Sequence, residues 1–153
     1  MRKADREIKD RSKIDEIIRS TEVCRIAFAN NNTPYLVPVS FGYDGECIYV
    51  HTAEAGKKID FLKANHQVCF EFDAEVKTVK DDHIPCKWTA AFKSVIGSGK
   101  MEEIHDAEGK MAALNHIMVQ YSGKEWAFNE KMLGRVKLWK ISIEEISGKS
   151  SGY

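Results

Sequence analysis

The sequence has no excess of charge of either sign, because its 23 lysines and arginines match its 23 aspartates and glutamates. Proteins that bind DNA or RNA usually carry a basic stripe or patch on the binding face, and a balanced chain provides no overall field of that kind. The sequence also lacks any apolar run near the ~18 residues that a membrane-spanning helix requires. We therefore predict no nucleic-acid partner and no membrane partner.

Cysteine is scarce, and no two cysteines form the C-x-x-C pair that is typical of a structural zinc site. The four positions are Cys24, Cys47, Cys69 and Cys86. No metal-ligand spacing is present among the histidines His66, His83, His105 and His116. The charged start, Met1–Arg6, leads into no apolar run and therefore resembles neither a signal peptide nor a transit peptide. These features predict a cytoplasmic protein with reduced cysteines and no metal site.

What the sequence does contain is a series of short strand-like segments separated by turn signals. Six segments have strand composition or alternation: 22–29, 35–43, 46–52, 67–76, 88–104 and 136–146. Helical patterns cover 11–20, 56–64 and 106–121. The apolar side of the first helix is Ile14, Ile17 and Ile18. Asp106 is the expected N-cap of the third helix, whose inward residues are Met111, Leu114, Ile117 and Met118. Asp44–Gly45 is a hairpin signal, and the glycines at 97 and 99 predict a bulge in the fifth segment. The pattern predicts a mostly β protein, a small antiparallel barrel with flanking helices in one domain over 1–153.

The segment from His51 to Lys58 has the composition of an anion-binding turn, in which a strand ends, small residues follow and a helix begins. Backbone N–H groups at a helix start, together with Lys, His and Thr side chains, suit a phosphate. The pair Lys57–Lys58 opposes the helix dipole, which a bound anion would relieve. The alternative is a solvated basic turn with His51 as an ordinary hydrogen-bonded strand residue. Spacing alone favours that alternative, whereas the position of His51 beside the lysines favours an anion site.

Pro38 lies within a predicted strand, where its missing N–H forbids a regular ladder bond. Such a strand is an edge or contains a bulge, and some of its backbone groups are free for a partner. A flat heteroaromatic ring could use those groups and rest on the small side chains around Pro38. The alternative, a protected edge strand without a ligand, is equally consistent with this stretch.

Three further residues are candidates for a binding site. Arg25 interrupts an apolar run and must reach water or meet an acid or a phosphate. Trp88 could form the wall of an aromatic ligand's site or belong to the core, and Ser94 could donate a hydrogen bond to a phosphate. Cys86 lies beside a lysine, Lys87. No histidine–acid pattern supports Cys86 as a nucleophile, and the sequence leaves the catalytic residues unassigned. His51 could donate a proton, although a contact with a phosphate or a ring is favoured.

Several stretches together carry a family resemblance: 5–8, 24–27, 34–43, 49–52 with 56–58, 68–71, 86–89, 94–99 and 146–149. Through them the chain resembles the FMN-binding split barrels related to pyridoxamine 5′-phosphate oxidase, specifically the branch of nitroimidazole-resistance reductases. The resemblance covers nearly the whole chain. It implies a six-stranded antiparallel split β-barrel with short flanking helices, and a homodimer with FMN at the subunit interface.

The resemblance also implies a set of FMN contacts. The phosphate would be held by His51, Thr52, Lys57 and Lys58, with assistance from Arg25. The isoalloxazine ring would lie along Val37, Pro38, Val39 and Ser40. Trp88 and Ser94 would approach the cofactor from the same or the partner subunit.

The activity that the resemblance implies is electron transfer from a reduced nicotinamide through FMN to a small acceptor such as a nitroaromatic or a quinone-like molecule. Two alternatives use the same barrel. One is a non-catalytic protein that binds or stores flavin. The other is a haem-binding protein with His51 or another histidine as the axial ligand.

Overall fold

The computed structural model describes residues 4–134 and 136–153, and in that part of the chain eight strands and four α-helices are present. In chain order they are β1 (Glu7–Ile8), α1 (Arg11–Ser20), β2 (Cys24–Asn30), β3 (Thr33–Val39), β4 (Phe41–Tyr43), β5 (Cys47–Thr52), α2 (Lys57–Ala64), β6 (Gln67–Val79), β7 (Thr89–Ile104), α3 (Ala107–Ser122), α4 (Glu130–Leu133) and β8 (Lys137–Ser151). Single 3-10 turns lie at Ala4–Arg6 and Pro85–Lys87. The mostly β composition is the one that the sequence predicts.

The strands form one antiparallel sheet in the order β3-β2-β6-β7-β8-β5-β4, with the short β1 paired to β8. The two strands that end this order, β3 and β4, are consecutive in the chain and separated only by Ser40. Because the chain passes directly from one end of the sheet to the other, the sheet curls into a barrel that closes at Ser40. This confirms the predicted split barrel, with eight strands in place of six.

The predicted single strand over 35–43 is wrong in one respect, because it changes partner in the middle. Val37 pairs with Ile26 of β2, whereas Phe41 pairs with Val50 of β5. Side-chain alternation reports which face a residue presents but carries no information on which strand it pairs with. The change of partner at Ser40 was therefore invisible in the sequence.

The last strand is longer than predicted and continues through Ser151. Its final residues, which have the glycine and serine content of a tail, pair with β7, as in Val95 opposite Gly148 and Phe92 opposite Ser151. The predicted bulge in β7 is confirmed, because the β7–β8 register shifts between Ser98 and Gly99.

Apolar side chains fill the barrel from the strands and from α1, which buries Ile14, Ile17 and Ile18 at the predicted spacing. The largest fully buried side chains of the barrel are Phe41, Phe70 and Phe72. Asp106 caps α3 as predicted, accepting a hydrogen bond from the Gly109 N–H at 2.6 Å. Among the described residues, every helix is too short or too polar to span a lipid bilayer.

The helix α3 packs closely on the barrel because of one glycine. A Cβ atom at Gly42 would lie 2.4 Å from the His116 carbonyl carbon, so only glycine allows this approach. Of the four residues predicted to point inward from α3, Ile117 is buried; Met111, Leu114 and Met118 are half-buried. The fully buried residue that this prediction missed is Ala113.

Candidate functional site

A cavity of about 260 Å³ lies where β5 ends and α2 begins. Its lining residues are Tyr35, Thr52, Ala53, Ala55, Gly56, Lys57, Lys58 and Ile59. The predicted anion-binding turn therefore faces a real cavity, and three of the four residues expected to hold a phosphate line it. The fourth, His51, does not.

Gly56 sets the start of α2 in a conformation that favours glycine, with φ at 129°. Its carbonyl accepts hydrogen bonds from the N–H groups of Ile59 at 2.8 Å and Asp60 at 3.2 Å. No side chain of the described residues caps this helix, whereas Asp10 and Asp106 cap α1 and α3. The first N–H groups of a helix lack intrahelical acceptors, so the start of α2 presents donors and the positive end of the helix dipole.

Lys57 and Lys58 carry positive charge at the mouth of the cavity. Among the described residues, neither lysine has a carboxylate within ion-pair distance. The ammonium group of Lys57 lies 4.6 Å from the ring centre of Tyr35 and 5.7 Å from that of Phe61. Cation–π contacts of this kind orient the side chain without neutralising it. The cavity is therefore a cationic site with unneutralised charge.

Thr52 is buried beside the cavity, and its hydroxyl is already engaged within the chain. The indole N–H of Trp139 donates to Thr52 Oγ1 at 2.9 Å, and the same oxygen lies 2.9 Å from the carbonyl oxygen of Ala53. His51 precedes Thr52 on β5 and is exposed on the opposite face of the strand. The structure brings Thr52 and the two lysines together but leaves His51 outside the cavity.

The stretch around Pro38 lies on β3, which ends the sheet order, as a proline within a strand predicts. Val37 and Val39 pack their side chains against the core, while Pro38 is exposed on the other face. Ser40 is exposed at the point where the barrel closes. A ligand outside the core could therefore contact Val37 and Val39 only through their backbone, which is the kind of contact predicted for a flat ring.

Arg25 meets acids. Its guanidinium forms ion pairs with Glu71, at 3.2 Å, and with Asp73. Arg25 lies opposite Pro38 on the outer face of the sheet. Tyr35, which lines the cavity, is on the other face, where its ring packs against Phe28 and Phe61. Burial, and then the charge of Asp73, raises the pKa of Glu71, although Arg25 acts against this shift. The structure does not bring Arg25 to the cavity at the start of α2.

Trp88 belongs to a hairpin arm, residues 75–90, formed by the far end of β6, the connecting loop and the start of β7. Its side chain is 50% exposed, and its indole N–H donates to the Asp81 carbonyl at 2.6 Å. Other exposed apolar residues of the hairpin arm are Val76, Val79 and Ile84. Ser94 is half-buried on β7, where it pairs with Asp73. Neither Trp88 nor Ser94 lines the 260 Å³ cavity of its own chain.

Two residues of the site were missed by the sequence reasoning. Tyr35 lines the cavity and holds Lys57, and Trp139 fixes the hydroxyl of Thr52. A buried indole N–H needs a hydrogen-bond acceptor. This rule predicts that Trp139 has an acceptor if it is buried, but it does not identify the acceptor. A larger cavity of about 770 Å³, between α1, β1 and the base of the hairpin arm, was not predicted either. No group of three or more potential metal ligands occurs within the described chain.

A family model described as pyridoxamine 5′-phosphate oxidase matches residues 10–150 of this chain. A curated relative, an uncharacterized protein of Rhizobium meliloti, is 24% identical over 102 residues, which is 67% of this chain and 60% of that protein. The matched region therefore spans less than two thirds of that relative.

Among solved structures, a proposed 5-nitroimidazole antibiotic resistance protein from Bacteroides thetaiotaomicron is similar, at 31% identity and a TM-score of 0.82. The match covers 94% of this chain and 85% of that one. A flavocytochrome from Azotobacter vinelandii matches with a TM-score of 0.82 and 19% identity, over 100% of this chain and 72% of that one. A FAD-binding protein from Mesorhizobium loti matches with a TM-score of 0.68 and 22% identity, over 96% of this chain and 98% of that one. The last two likenesses show a shared fold, and the first confirms the predicted resemblance to nitroimidazole-resistance proteins.

Proposed function

Because the chain belongs to the pyridoxamine 5′-phosphate oxidase family, we propose that it binds FMN and passes electrons from a reduced nicotinamide to a small acceptor such as a nitroaromatic. The observation that carries this proposal is the cationic cavity at the start of α2, lined by Lys57, Lys58 and Gly56. A phosphate fits the chemistry of these donors, because it accepts hydrogen bonds from lysines and from first-turn N–H groups.

The size of the cavity limits which part of FMN it can hold. Pockets that enclose a whole drug-sized ligand usually measure about 300–1,000 Å³, and this one measures about 260 Å³. It therefore suits the phosphate end of the nucleotide, with the ring outside. The backbone that suits a flat ring is residues 37–40, which follow Tyr35 along β3 to Val39 and then Ser40.

We place the ring between two copies of the chain. The outer sheet face, defined by Arg25, Ala27, Leu36, Cys69 and Ile96, holds exposed apolar side chains, with Leu36 59% and Ile96 50% exposed. These residues lie on paired strands, where directly opposite residues share a face. A second copy on this face would cover them.

We further propose that the second copy places the hairpin arm of one chain at the cavity of the other. Trp88 and Ser94 could then reach the cofactor, although neither lines the cavity of its own chain. Exposed apolar patches of this kind commonly mark protein–protein contacts.

When bound, FMN supplies the two-electron exchange between nicotinamide and acceptor. The chain's own contribution is to bind and orient. Lys57 and Lys58 hold the phosphate, the edge of β3 offers backbone donors and acceptors to the ring, and the partner's hairpin arm shields it from water. No residue is assigned as an acid.

A non-catalytic flavin-binding role is the second candidate, and one observation favours it. His51, the residue considered as a proton donor, is exposed and lies outside the cavity. Both candidate functions require the same flavin binding, so only a measurement of catalytic turnover distinguishes them.

The visible spectrum of freshly isolated protein, followed by release and identification of its chromophore, tests the proposal. We expect oxidised-flavin bands and FMN, and sustained oxidation of NADH or NADPH when a nitroimidazole is added. Bleaching of the flavin without turnover would support storage. A Soret band from haem, or a protein that takes up no flavin, would contradict the proposal.

A further inference from the structure

The buried hydrogen bond between Trp139 and Thr52 joins β8 to the turn that lines the cavity. Trp139 is 4% exposed and Thr52 is 5% exposed. Val50 pairs with Trp139 across the β5–β8 ladder, so Thr52 is the diagonal neighbour of the indole on the same face. The indole N–H is a donor only, and Thr52 Oγ1 at 2.9 Å is its acceptor.

The hydrogen bond from Trp139 determines where the single proton of the Thr52 hydroxyl points. A threonine hydroxyl has one proton and accepting lone pairs, and a lone pair is used by the indole of Trp139. The second neighbour of Thr52 Oγ1 is the carbonyl oxygen of Ala53, at 2.9 Å, which can only accept. The hydroxyl therefore donates to Ala53 and has no proton left for an anion in the cavity.

The chain of contacts from Trp139 through Thr52 fixes the peptide that follows Ala53. In a trans peptide the carbonyl and the next N–H point to opposite sides. Holding the Ala53 carbonyl toward Thr52 therefore directs the N–H of Glu54 away from it, and sets the course of residues 53–56, three of which line the cavity.

We propose that Trp139 and Thr52 are positioning residues: through the Ala53 carbonyl they hold the turn 53–56 in the shape that receives a phosphate, and Thr52 does not itself donate to the ligand. This inference rests on the proposed binding of FMN. It changes the role that the family resemblance implies for Thr52, from a phosphate contact to a support.

The test uses three single variants of the full chain, a double variant that combines Thr52→Val with Trp139→Phe, one control variant and two ligands. Thr52→Val keeps the side-chain shape and removes the hydroxyl, Thr52→Ser keeps the hydroxyl, and Trp139→Phe removes the indole donor. Trp126→Phe, at an exposed tryptophan, is the matched control for loss of an indole. Dissociation constants are measured for FMN and for riboflavin, which lacks the phosphate, and thermal melts confirm folding.

We expect Thr52→Val and Trp139→Phe each to weaken FMN binding about three- to tenfold, the contribution typical of one hydrogen bond. The double variant should be no weaker than either single one, because both act through the same contact. Riboflavin affinity should not change, and Thr52→Ser and Trp126→Phe should bind FMN as the wild type does. The indole resonance of Trp139 should shift in Thr52→Val, which reports the lost hydrogen bond without any ligand.

Two results would overturn the proposal. If Thr52→Val loses FMN while Trp139→Phe keeps wild-type affinity, Thr52 contacts the phosphate directly. If FMN and riboflavin weaken equally, the pair supports general packing rather than the turn.

A wild-type protein that binds no FMN would defeat the proposed function but still leave a decisive measurement. Amide hydrogen exchange of residues 53–56 should be faster in both Thr52→Val and Trp139→Phe if the pair holds the turn. Unchanged exchange in the two variants would refute the positioning role.

Discussion

The hydroxyl of Tyr121 accepts a hydrogen bond from the backbone N–H of Phe41 at 3.0 Å. The same hydroxyl donates to the carbonyl of Glu22 at 2.7 Å, so the C-terminal end of α3 holds two segments of the barrel at once. Phe41 is the first residue after Ser40, where the sheet closes on itself. Tyr121 therefore fixes the closure of the barrel next to the strand on which we place the flavin ring.

Tyr121→Phe should lower the free energy of unfolding by about 1–3 kcal/mol, because it removes two hydrogen bonds that each contribute about 0.5–1.5 kcal/mol net. Urea denaturation measures the change. Tyr35→Phe is the matched control, since the Tyr35 hydroxyl has no hydrogen-bond partner within the described residues and its ring is kept. An equal loss in both variants would show that the contact of Tyr121 with Phe41 does not stabilise the closure.

Lys58→Glu should weaken FMN binding at least about tenfold, because it replaces a charge-assisted contact with repulsion of the phosphate. Riboflavin has no phosphate, and its affinity should not change. Lys63→Glu, which reverses an exposed charge of α2 outside the cavity lining, is the control, and circular dichroism checks that the fold is intact. Wild-type FMN affinity in Lys58→Glu would remove Lys58 from the site.

A mixture of two defective variants tests whether the hairpin arm serves the partner's site. Lys58→Glu damages the cavity and Trp88→Ala damages the arm, so each variant alone should bind FMN poorly. In a C2 dimer with shared sites, co-refolded chains should recover about one quarter of the wild-type sites, all of them in heterodimers. No recovery in a mixture that sedimentation shows to contain dimers would mean that Trp88 does not act across the interface.

Asp44 should make stability depend on pH in the acid range. Burial acts to raise the pKa of its carboxyl, but hydrogen bonds from the N–H groups of Glu46 and Cys47 and from the Tyr49 hydroxyl outweigh burial and lower the pKa below 3.8. A lowered pKa in the folded state means stability that is present above the unfolded value and is lost as the pH falls through the folded value.

Asp44→Asn should therefore be less stable than the wild type at pH 7, and the difference should shrink as the pH falls below about 4. Urea denaturation across this range measures it. Glu46→Gln, at the exposed neighbouring residue, is the control for loss of a negative charge. A difference between Asp44→Asn and the wild type that does not vary with pH would contradict the assignment.

The barrel was predictable because its signals are local. The alternation of Val68, Phe70 and Phe72 and the spacing of Ile14 and Ile17 are properties of short windows, and the structure buries all five. Pairing between distant segments is not a local property. The change of partner at Ser40 and the pairing of Gly148–Ser151 with β7 depend on backbone hydrogen bonds that any residue can form.

The candidate site divides in the same way. Thr52, Lys57 and Lys58 are close in sequence, and all three line the same cavity. Trp139 is separated from Thr52 by 87 positions, so no spacing rule could join them. Trp88 and Ser94 were expected at the cofactor, and their distance from the cavity within one chain makes that expectation depend on a second copy.

Equilibrium titration of the wild-type protein with FMN and with riboflavin tests the central claim, that the cavity at the start of α2 holds the FMN phosphate. We predict saturable binding of one FMN per chain, with riboflavin at least about tenfold weaker because it lacks the group that the lysines hold. No uptake of FMN by folded protein, or equal affinity for the two flavins, would contradict the claim.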